Sequence, residues 1–314
     1  MYVITGATSR TGSQIARHLL QQGKAVRVIG RSAARLQDLV DLGAQAFEAD
    51  PADAQALVQA FHGADAAWVM LQPNYVLDSP DFRAFQDSII AALSEALAAS
   101  SVQHVVALSS WGAGLFRGNG PVAGLHAMEQ MLSSHDDLHV MNLRAGYFME
   151  NTLPFVDSIL SHGAVLSPFN GDLKLPLIAT EDVAQAAAEH LLLRDFSGKH
   201  VQELHGAEDL SLLEVTKKIG AAIGRPDLPF RQITEAAFAQ SLREAGASEN
   251  IIGLMTEVVA GINSGLIRAE QPRGAQSTGS VHFEDFMRDA LLPKLGQSSI
   301  SPITGKRVLR HQLG

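Results

Sequence analysis

A glycine-containing loop between a first apolar run and an amphipathic segment constrains this chain more than any other feature. Residues 2–5 form the run, and the loop GATSRTG follows at residues 6–12. Phosphate groups bind at helix N-termini, where backbone N–H groups are unpaired and the helix dipole is positive. Gly6 can supply the tight turn, and Gly12 can allow close packing of helix on strand. With a second apolar run ending at Ile29, the pattern predicts a dinucleotide-binding unit.

The residues between the two glycines complete the predicted phosphate loop. Ser9 stands where the usual fingerprint has its middle glycine. We expect Thr8, Ser9, Arg10 and Thr11 to contact the cofactor together with the glycines.

The residues after the second apolar run indicate which dinucleotide is bound. Folds that prefer NAD place a carboxylate there for the ribose hydroxyls. This chain instead has Arg31 and Ser32 after Gly30. An arginine can form a charge-assisted hydrogen bond with a 2′-phosphate, which a carboxylate would repel. We therefore predict NADP(H) as the cofactor, with Arg10 as a second contact; the alternative is that both arginines are solvated surface residues.

Short apolar runs alternate with helical patterns through the first half of the chain. Runs that are apolar on both faces are typical of parallel strands covered by helices. The pattern predicts an α/β fold, with a doubly wound parallel Rossmann sheet at residues 1–147. Helical periodicity dominates residues 148–296, which predicts a smaller, mostly helical lobe for substrate or partner, partly interleaved with the sheet. Residues 297–314 are polar and basic without a period, and we expect a flexible tail.

The carboxyl ends of the later strands supply further cofactor candidates, since ligands of doubly wound sheets bind there. Asp50, after the third run, is either a partner of the adenine amine or part of a helix cap. The fourth run ends at Leu71-Gln72-Pro73-Asn74, which we expect to line the nicotinamide ribose and pyrophosphate. Ser109, at the end of the fifth run, can bind the carboxamide or the substrate, although serines also occur there as turn residues.

The proton-transferring pair of short-chain dehydrogenases is absent, because no tyrosine has a lysine four residues later. The helix in which that lysine would lie carries His126, and histidine titrates near neutrality. His126 is therefore the candidate proton donor. Tyr147 and Phe148 are candidates for stacking on a flat acceptor, and the alternative for both is core packing between the lobes.

Composition restricts the remaining classes of function. The formal charge of −9 makes nucleic acid and anionic membrane surfaces poor partners. The absence of cysteine excludes disulfides, thiolate metal sites and a cysteine nucleophile. The histidines lack metal-ligand spacings such as HExxH, so no metal site is predicted. No apolar run approaches the roughly 18 residues of a membrane span, and no signal peptide is recognisable, so we expect a cytoplasmic protein.

The chain resembles the NmrA-like family of atypical short-chain dehydrogenases, which lack the Tyr-Lys pair. The resemblance covers almost the full length and rests on five segments: GATSRTG at 6–12, AGYFMEN at 145–151, ATEDVA at 179–184, ELHG at 203–206 and SLLEV at 211–215. It implies a Rossmann domain, a small C-terminal lobe and a cofactor in the cleft between them. It also implies one of two functions, an NADPH-dependent reductase of quinones, azo dyes or phenylpropanoid ethers, or a non-catalytic dinucleotide sensor that binds a regulator.

Three functional hypotheses result. The first is an NADPH-dependent oxidoreductase acting on a small electron-poor acceptor such as a quinone, which can take its proton from water. The second is a redox sensor whose NADP(H) occupancy sets its affinity for a protein partner; a homo-oligomer fits either of these. The third, an isomerase or epimerase with a permanently bound cofactor, needs a proton-handling base that the sequence does not show.

Overall fold

The computed structural model describes residues 1–71 and 76–298, and the statements below refer to these residues. Its strands, in chain order, are β1 (Tyr2–Ile4), β2 (Val26–Gly30), β3 (Gln45–Glu48), β4 (Ala66–Val69), β5 (His104–Ser110), β6 (His139–Ala145), β7 (Tyr147–Phe148), β8 (Val165–Ser167), β9 (Leu175–Ile178), β10 (Lys199–Leu204), β11 (Asp209–Leu210) and β12 (Phe230–Gln232). Within the described ranges, seven strands form one parallel sheet in the order β10-β6-β5-β4-β1-β2-β3. The predicted doubly wound α/β sheet is therefore confirmed.

Helices follow most of these strands. They are α1 (Arg10–Gln21), α2 (Gln37–Val40), α3 (Ala54–Phe61), α4 (Phe82–Ala98), α5 (Val122–Ser133), α6 (Phe155–His162), α7 (Thr180–Leu193), α8 (Leu212–Ala222), α9 (Glu235–Glu244), α10 (Glu249–Asn263), α11 (Phe283–Phe286) and α12 (Leu292–Ser298). A π-helical turn at Met287–Leu291 joins the last two. No described helix is long and apolar enough to cross a membrane.

Both faces of the large sheet are buried, as the apolar runs predict. Successive side chains of a strand point to opposite faces. Thus Ile4 packs with α1 and α7 on one face, while Val3 packs with α3, α4 and α5 on the other. The carboxyl ends of the parallel strands are left as the edge along which loops and helix N-termini meet.

The rest of the chain forms a smaller lobe with its own core. Two small sheets, β11-β9-β7 and β12-β8, combine with α6 and α8–α12. Apolar side chains such as Trp111, Phe155 and Phe283 fill that core. The lobe is mostly helical, as predicted, and α7 and β10 return from it to the large sheet. Of the predicted tail, residues 299–314 lie outside the described residues, whereas α12 ends at Ser298.

A segment of the smaller lobe covers the edge strand β10. The Glu203 carboxylate accepts the backbone N–H groups of Glu270 and Gln271, both at 2.8 Å. His205, just after the strand, forms a bridge with Thr278. These contacts protect an otherwise unpaired sheet edge and fix residues 270–278 beside the large sheet.

Candidate functional site

The glycine loop forms a tight turn that delivers the N-terminus of α1 to the strand ends. Gly6 has a φ of +60°, a region that glycine adopts without strain. The Ser9 hydroxyl caps the helix by accepting the Gly12 N–H at 3.1 Å. A Cβ on Gly12 would lie 2.4 Å from the Gly6 carbonyl oxygen, so only glycine permits this approach. The loop therefore has the geometry that a pyrophosphate requires.

The end of β2 lies against this loop. The Ala7 N–H donates to the Ile29 carbonyl at 3.2 Å, and a Cβ on Gly30 would lie 3.2 Å from the Thr8 methyl carbon. Arg31, directly after the strand, is exposed, and Ser32 is half-buried. The structure thus brings the predicted phosphate loop and the predicted 2′-phosphate contacts together at one edge.

The structure shows which carboxylate caps the helix after Asp50, and the contact of Asp50 with the adenine amine stays a prediction. Asp53 is the N-cap of α3, and its carboxylate accepts the Ala56 N–H at 3.0 Å. Asp50 is exposed, and one of its oxygens accepts the Ala52 N–H at 2.9 Å. Asp50 therefore shapes the turn before the helix, and its second oxygen remains available for a ligand.

The predicted nicotinamide segment is described only at its start. Leu71 is buried in the core on the α3, α4 and α5 face of the sheet. Gln72, Pro73 and Asn74 lie outside the described residues.

Ser109 belongs to a buried charged network that the sequence did not reveal. Its hydroxyl donates to Glu129 at 2.5 Å, and Arg144 donates to both oxygens of Glu129, at 3.0 and 2.7 Å. Arg144 also contacts Glu270 at 3.2 Å, and its hydrogen bonds to the Glu129 carboxylate raise the pKa of Arg144. The hydroxyl hydrogen of Ser109 is thus already used in the hydrogen bond to Glu129. We name Ser109, Glu129, Arg144 and Glu270 the β5–β6 network.

His126 lies one helical turn before Glu129 on α5. Its Nδ1 is 2.8 Å from the Ala113 carbonyl oxygen. A carbonyl can only accept, so Nδ1 carries a hydrogen, and the neutral ring then has a lone pair at Nε2. His126 can therefore donate a proton from Nε2 only as the imidazolium.

Tyr147 and Phe148 form β7 and pack on opposite sides of it. Tyr147 is half-buried and meets Phe169 edge to face at 5.7 Å, whereas Phe148 packs on the core shared by α1 and α7. Burial raises the pKa of the Tyr147 phenol, which makes it a poor proton donor. Tyr147 therefore packs on the core of the smaller lobe and Phe148 on that of the large sheet, and stacking of either ring on an acceptor stays a prediction.

Glu150 was not singled out from the sequence, although it lies in the AGYFMEN segment. Glu150 is buried in a short helical turn at Met149–Thr152. Its carboxylate reaches the start of α7, where it accepts the Thr180 N–H at 3.1 Å and the Thr180 hydroxyl at 2.5 Å. Burial raises the pKa of Glu150, and the hydrogen bonds from Thr180 and the charge of Arg10 partly offset this. A cavity of about 670 Å³ lies beside it, and its wall includes Arg10, Gln14, Glu150, Thr180, Asp289 and Lys294.

One cluster in the described part of the chain has metal-ligand atom types. Atoms of Glu208, His282 and Glu284 lie within 4.8 Å of one another. The Lys218 ammonium contacts Glu208 at 3.4 Å and also donates to Glu284. A lysine thus already supplies the positive charge that these two carboxylates attract.

Comparisons with known proteins agree with the geometry of the loop. A family model described as NAD(P)H-binding matches residues 6–192. An NAD(P)H azoreductase of Xenophilus azovorans is 28% identical over 265 residues, which cover 83% of this chain and 86% of the relative. The loop geometry and the family model thus both indicate nucleotide binding.

Solved structures extend the comparison to the whole fold. An NADPH-dependent quinone oxidoreductase of Escherichia coli, in complex with NADPH, superposes with a TM-score of 0.74 at 22% identity, over 92% of this chain and 99% of that one. The negative transcriptional regulator NmrA, in complex with NADP, gives a TM-score of 0.69 at 16% identity, over 96% and 98%. At these identities the likeness establishes the fold, and the predicted resemblance to NmrA-like proteins is confirmed at that level.

Proposed function

The chain belongs to the NAD(P)H-binding family, and on that basis we propose that it is an NADPH-dependent oxidoreductase. Its acceptor in this proposal is a small electron-poor molecule such as a quinone. The observation that carries the proposal is the glycine loop, in which a Cβ on Gly12 would collide with Gly6 and which lies directly against the end of β2. The curated azoreductase relative supports reductase chemistry over isomerase chemistry.

We assign the cofactor contacts along the strand ends. In this proposal Gly6 and residues 8–12 bind the pyrophosphate, since they form the turn and the start of α1. Arg31 and Ser32 bind the 2′-phosphate, because they follow the strand that packs on the loop. When bound, NADPH supplies a hydride to the acceptor.

The described side chains on the proposed acceptor side include no positioned acid, which favours an acceptor that does not need one. Ser109 donates to Glu129, the Tyr147 phenol has a raised pKa, and neutral His126 has no proton on Nε2. A quinone suits such a site, because it can accept a hydride and then take a proton from water. A simple ketone would need a proton donor in the transition state.

Loss of the nicotinamide absorbance tests the proposal directly. Purified protein is mixed with NADPH and a panel of benzoquinones, naphthoquinones and azo dyes, and the same panel is repeated with NADH. We expect NADPH to be oxidised with at least one quinone, and faster than NADH at equal low concentration. Tight NADPH binding without oxidation across the panel would refute the reductase proposal.

The fold likeness to a transcriptional regulator that was solved with NADP favours a second candidate function, a redox sensor. A sensor binds the cofactor without turnover and reports its presence to a protein partner. Titrations with NADP⁺ and NADPH separate the two functions. A sensor is indicated if both forms bind, no acceptor is reduced, and the protein changes shape when the cofactor binds.

A further inference from the structure

The most exposed large apolar side chain of the described residues lies beside the candidate proton donor. Phe116 is 84% exposed, in the loop between β5 and α5. Its ring meets the His126 ring edge to face, with centroids 6.2 Å apart and an interplanar angle of 87°. A single exposed apolar residue needs no explanation, so its surroundings decide whether it has a role.

The loop that carries Phe116 is held by hydrogen bonds at several points. The buried Asn119 amide donates to the carbonyls of Gly112 and Leu115, at 3.0 and 2.9 Å. The Gly118 N–H donates to Glu257 on α10 at 2.8 Å. These hydrogen bonds restrain the backbone on both sides of Phe116. The phenyl ring is therefore presented to solvent by a defined backbone.

Two neighbours extend this surface. Leu266 is 48% exposed and packs so closely on Gly118 that a Cβ there would lie 2.7 Å from its methyl carbon. His126 is tied to the same loop through Ala113. Phe116 and Leu266 thus add exposed apolar area at the loop that follows the carboxyl end of β5, and His126 contacts the same loop. Ligands of doubly wound sheets bind at that end.

We propose that Phe116 forms a wall of the acceptor site and that the acceptor is a flat conjugated ring that stacks on it. This rests on the proposed reductase function. Electron-poor rings stack favourably on phenyl groups. Two apolar side chains and a histidine are far too small for a stable interface, which buries about 1,200–2,000 Å² in total. A small ligand therefore fits this surface better than a second copy of the chain.

Phe116→Ala and Phe116→Leu test the proposal in steady-state assays at saturating NADPH. For a naphthoquinone, we expect kcat/KM to fall about threefold to tenfold in Phe116→Ala and less in Phe116→Leu, which keeps apolar area but loses the ring. For a single-ring benzoquinone we expect a smaller fall of kcat/KM in Phe116→Ala, because less ring area can stack. The Kd for NADPH and the melting temperature stay unchanged. Leu193→Ala, at a residue 59% exposed at the end of α7, is the matched control and changes none of these values.

In the steady-state assays, two results overturn the proposal. Unchanged kcat/KM for both quinones shows that Phe116 does not touch the acceptor, and an equal loss for both with a lower melting temperature shows a structural role. If the protein oxidises no NADPH at all, the reductase proposal fails first. Calorimetric titration of the NADP⁺-loaded protein with the naphthoquinone then tests the role of Phe116 separately. If the acceptor stacks on Phe116, the naphthoquinone must bind more weakly to Phe116→Ala than to wild type. A dimer in solution that Phe116→Ala converts to a monomer would assign this surface to an interface instead.

Discussion

The two halves of the candidate site are built by different means. On the nucleotide side, a contiguous loop of main chain and two glycines defines the geometry, with Gly12 against Gly6. On the acceptor side, the β5–β6 network joins side chains from β5, α5, β6 and the segment after α10. The first half depends on the absence of side-chain atoms, and the second on buried charge. We therefore expect substitutions on the nucleotide side to act through steric collision, and substitutions on the acceptor side to act through loss of a buried charge partner.

The largest expected effect is on the acceptor side. Arg144→Met leaves the Glu129 carboxylate buried without its cation, and we expect the free energy of unfolding to fall by about 3–5 kcal/mol. Urea denaturation measures the change. The double variant Glu129→Gln/Arg144→Met should recover most of the loss.

An exposed arginine provides the matched control for Arg144. Arg288 also contacts two carboxylates, those of Asp285 and Asp289, but at the surface. Arg288→Met should lower the free energy of unfolding far less than Arg144→Met does, because exposed ion pairs contribute little. If the two variants lose the same stability, burial of the β5–β6 network is not what gives Arg144 its importance.

On the nucleotide side, Gly12→Ala tests the steric requirement. The added methyl must displace backbone atoms of Gly6, which we expect to cost about 1–3 kcal/mol and to weaken NADPH binding at least about tenfold. Gly253→Ala in α10 is the control, since a Cβ there meets nothing within 4 Å. It should stabilise the fold by up to about 1 kcal/mol. Normal NADPH binding by Gly12→Ala would show that the close approach is unnecessary.

Arg31→Ala tests the specificity of the nucleotide side without altering its backbone. Loss of a charge-assisted contact should weaken NADPH about tenfold to hundredfold and leave NADH nearly unchanged. Arg35→Ala, at an exposed arginine in the next helical turn, should change neither affinity. Isothermal titrations with both cofactors measure the ratio. Equal weakening of NADPH and NADH would contradict the assignment of Arg31 to the 2′-phosphate.

The smallest effect concerns Glu150, whose carboxylate accepts hydrogen bonds from Thr180 at the start of α7. Burial raises its folded pKa above the ordinary value of 4.5. The folded state therefore binds the proton more tightly than the unfolded state, so its stabilising contribution is complete below pH 4.5 and is lost as pH rises through the folded pKa. Glu150→Gln keeps the acceptor oxygen for Thr180 and does not titrate.

At neutral pH we expect the free energy of unfolding of Glu150→Gln to equal that of wild type or to exceed it by up to about 1 kcal/mol. As the pH is lowered from neutral through the folded pKa of Glu150, the free energy of unfolding of wild type should rise relative to that of Glu150→Gln. Chemical denaturation at a series of pH values measures the difference. A difference that is independent of pH would mean that folding does not shift the pKa of Glu150, and would contradict this account.

The same contrast explains what the sequence could predict. The fold and the phosphate loop follow from local patterns, namely apolar runs, helical periodicity and glycine spacing. Arg31 follows from its position after the second strand. The β5–β6 network could not be found in this way, because Arg144 contacts residues 15 and 126 positions away and the pairing depends on how strands and segments meet.

Glu150 and Asp50 show the same limit. Glu150 contacts Thr180, 30 positions away, so only the folded chain reveals its role as the acceptor at the start of α7. For Asp50, composition alone could not separate a cap from a ligand contact, and the structure places the cap at Asp53.

Single-turnover mixing tests the central claim, that the bound cofactor of this chain is a hydride donor and not only a signal. Protein loaded with one equivalent of NADPH is mixed rapidly with a naphthoquinone, and the nicotinamide absorbance is followed. We predict that the band disappears, and that it disappears more slowly when the transferred hydrogen at C4 is deuterium. A band that persists while NADPH remains bound, with each acceptor of the panel, would contradict the claim.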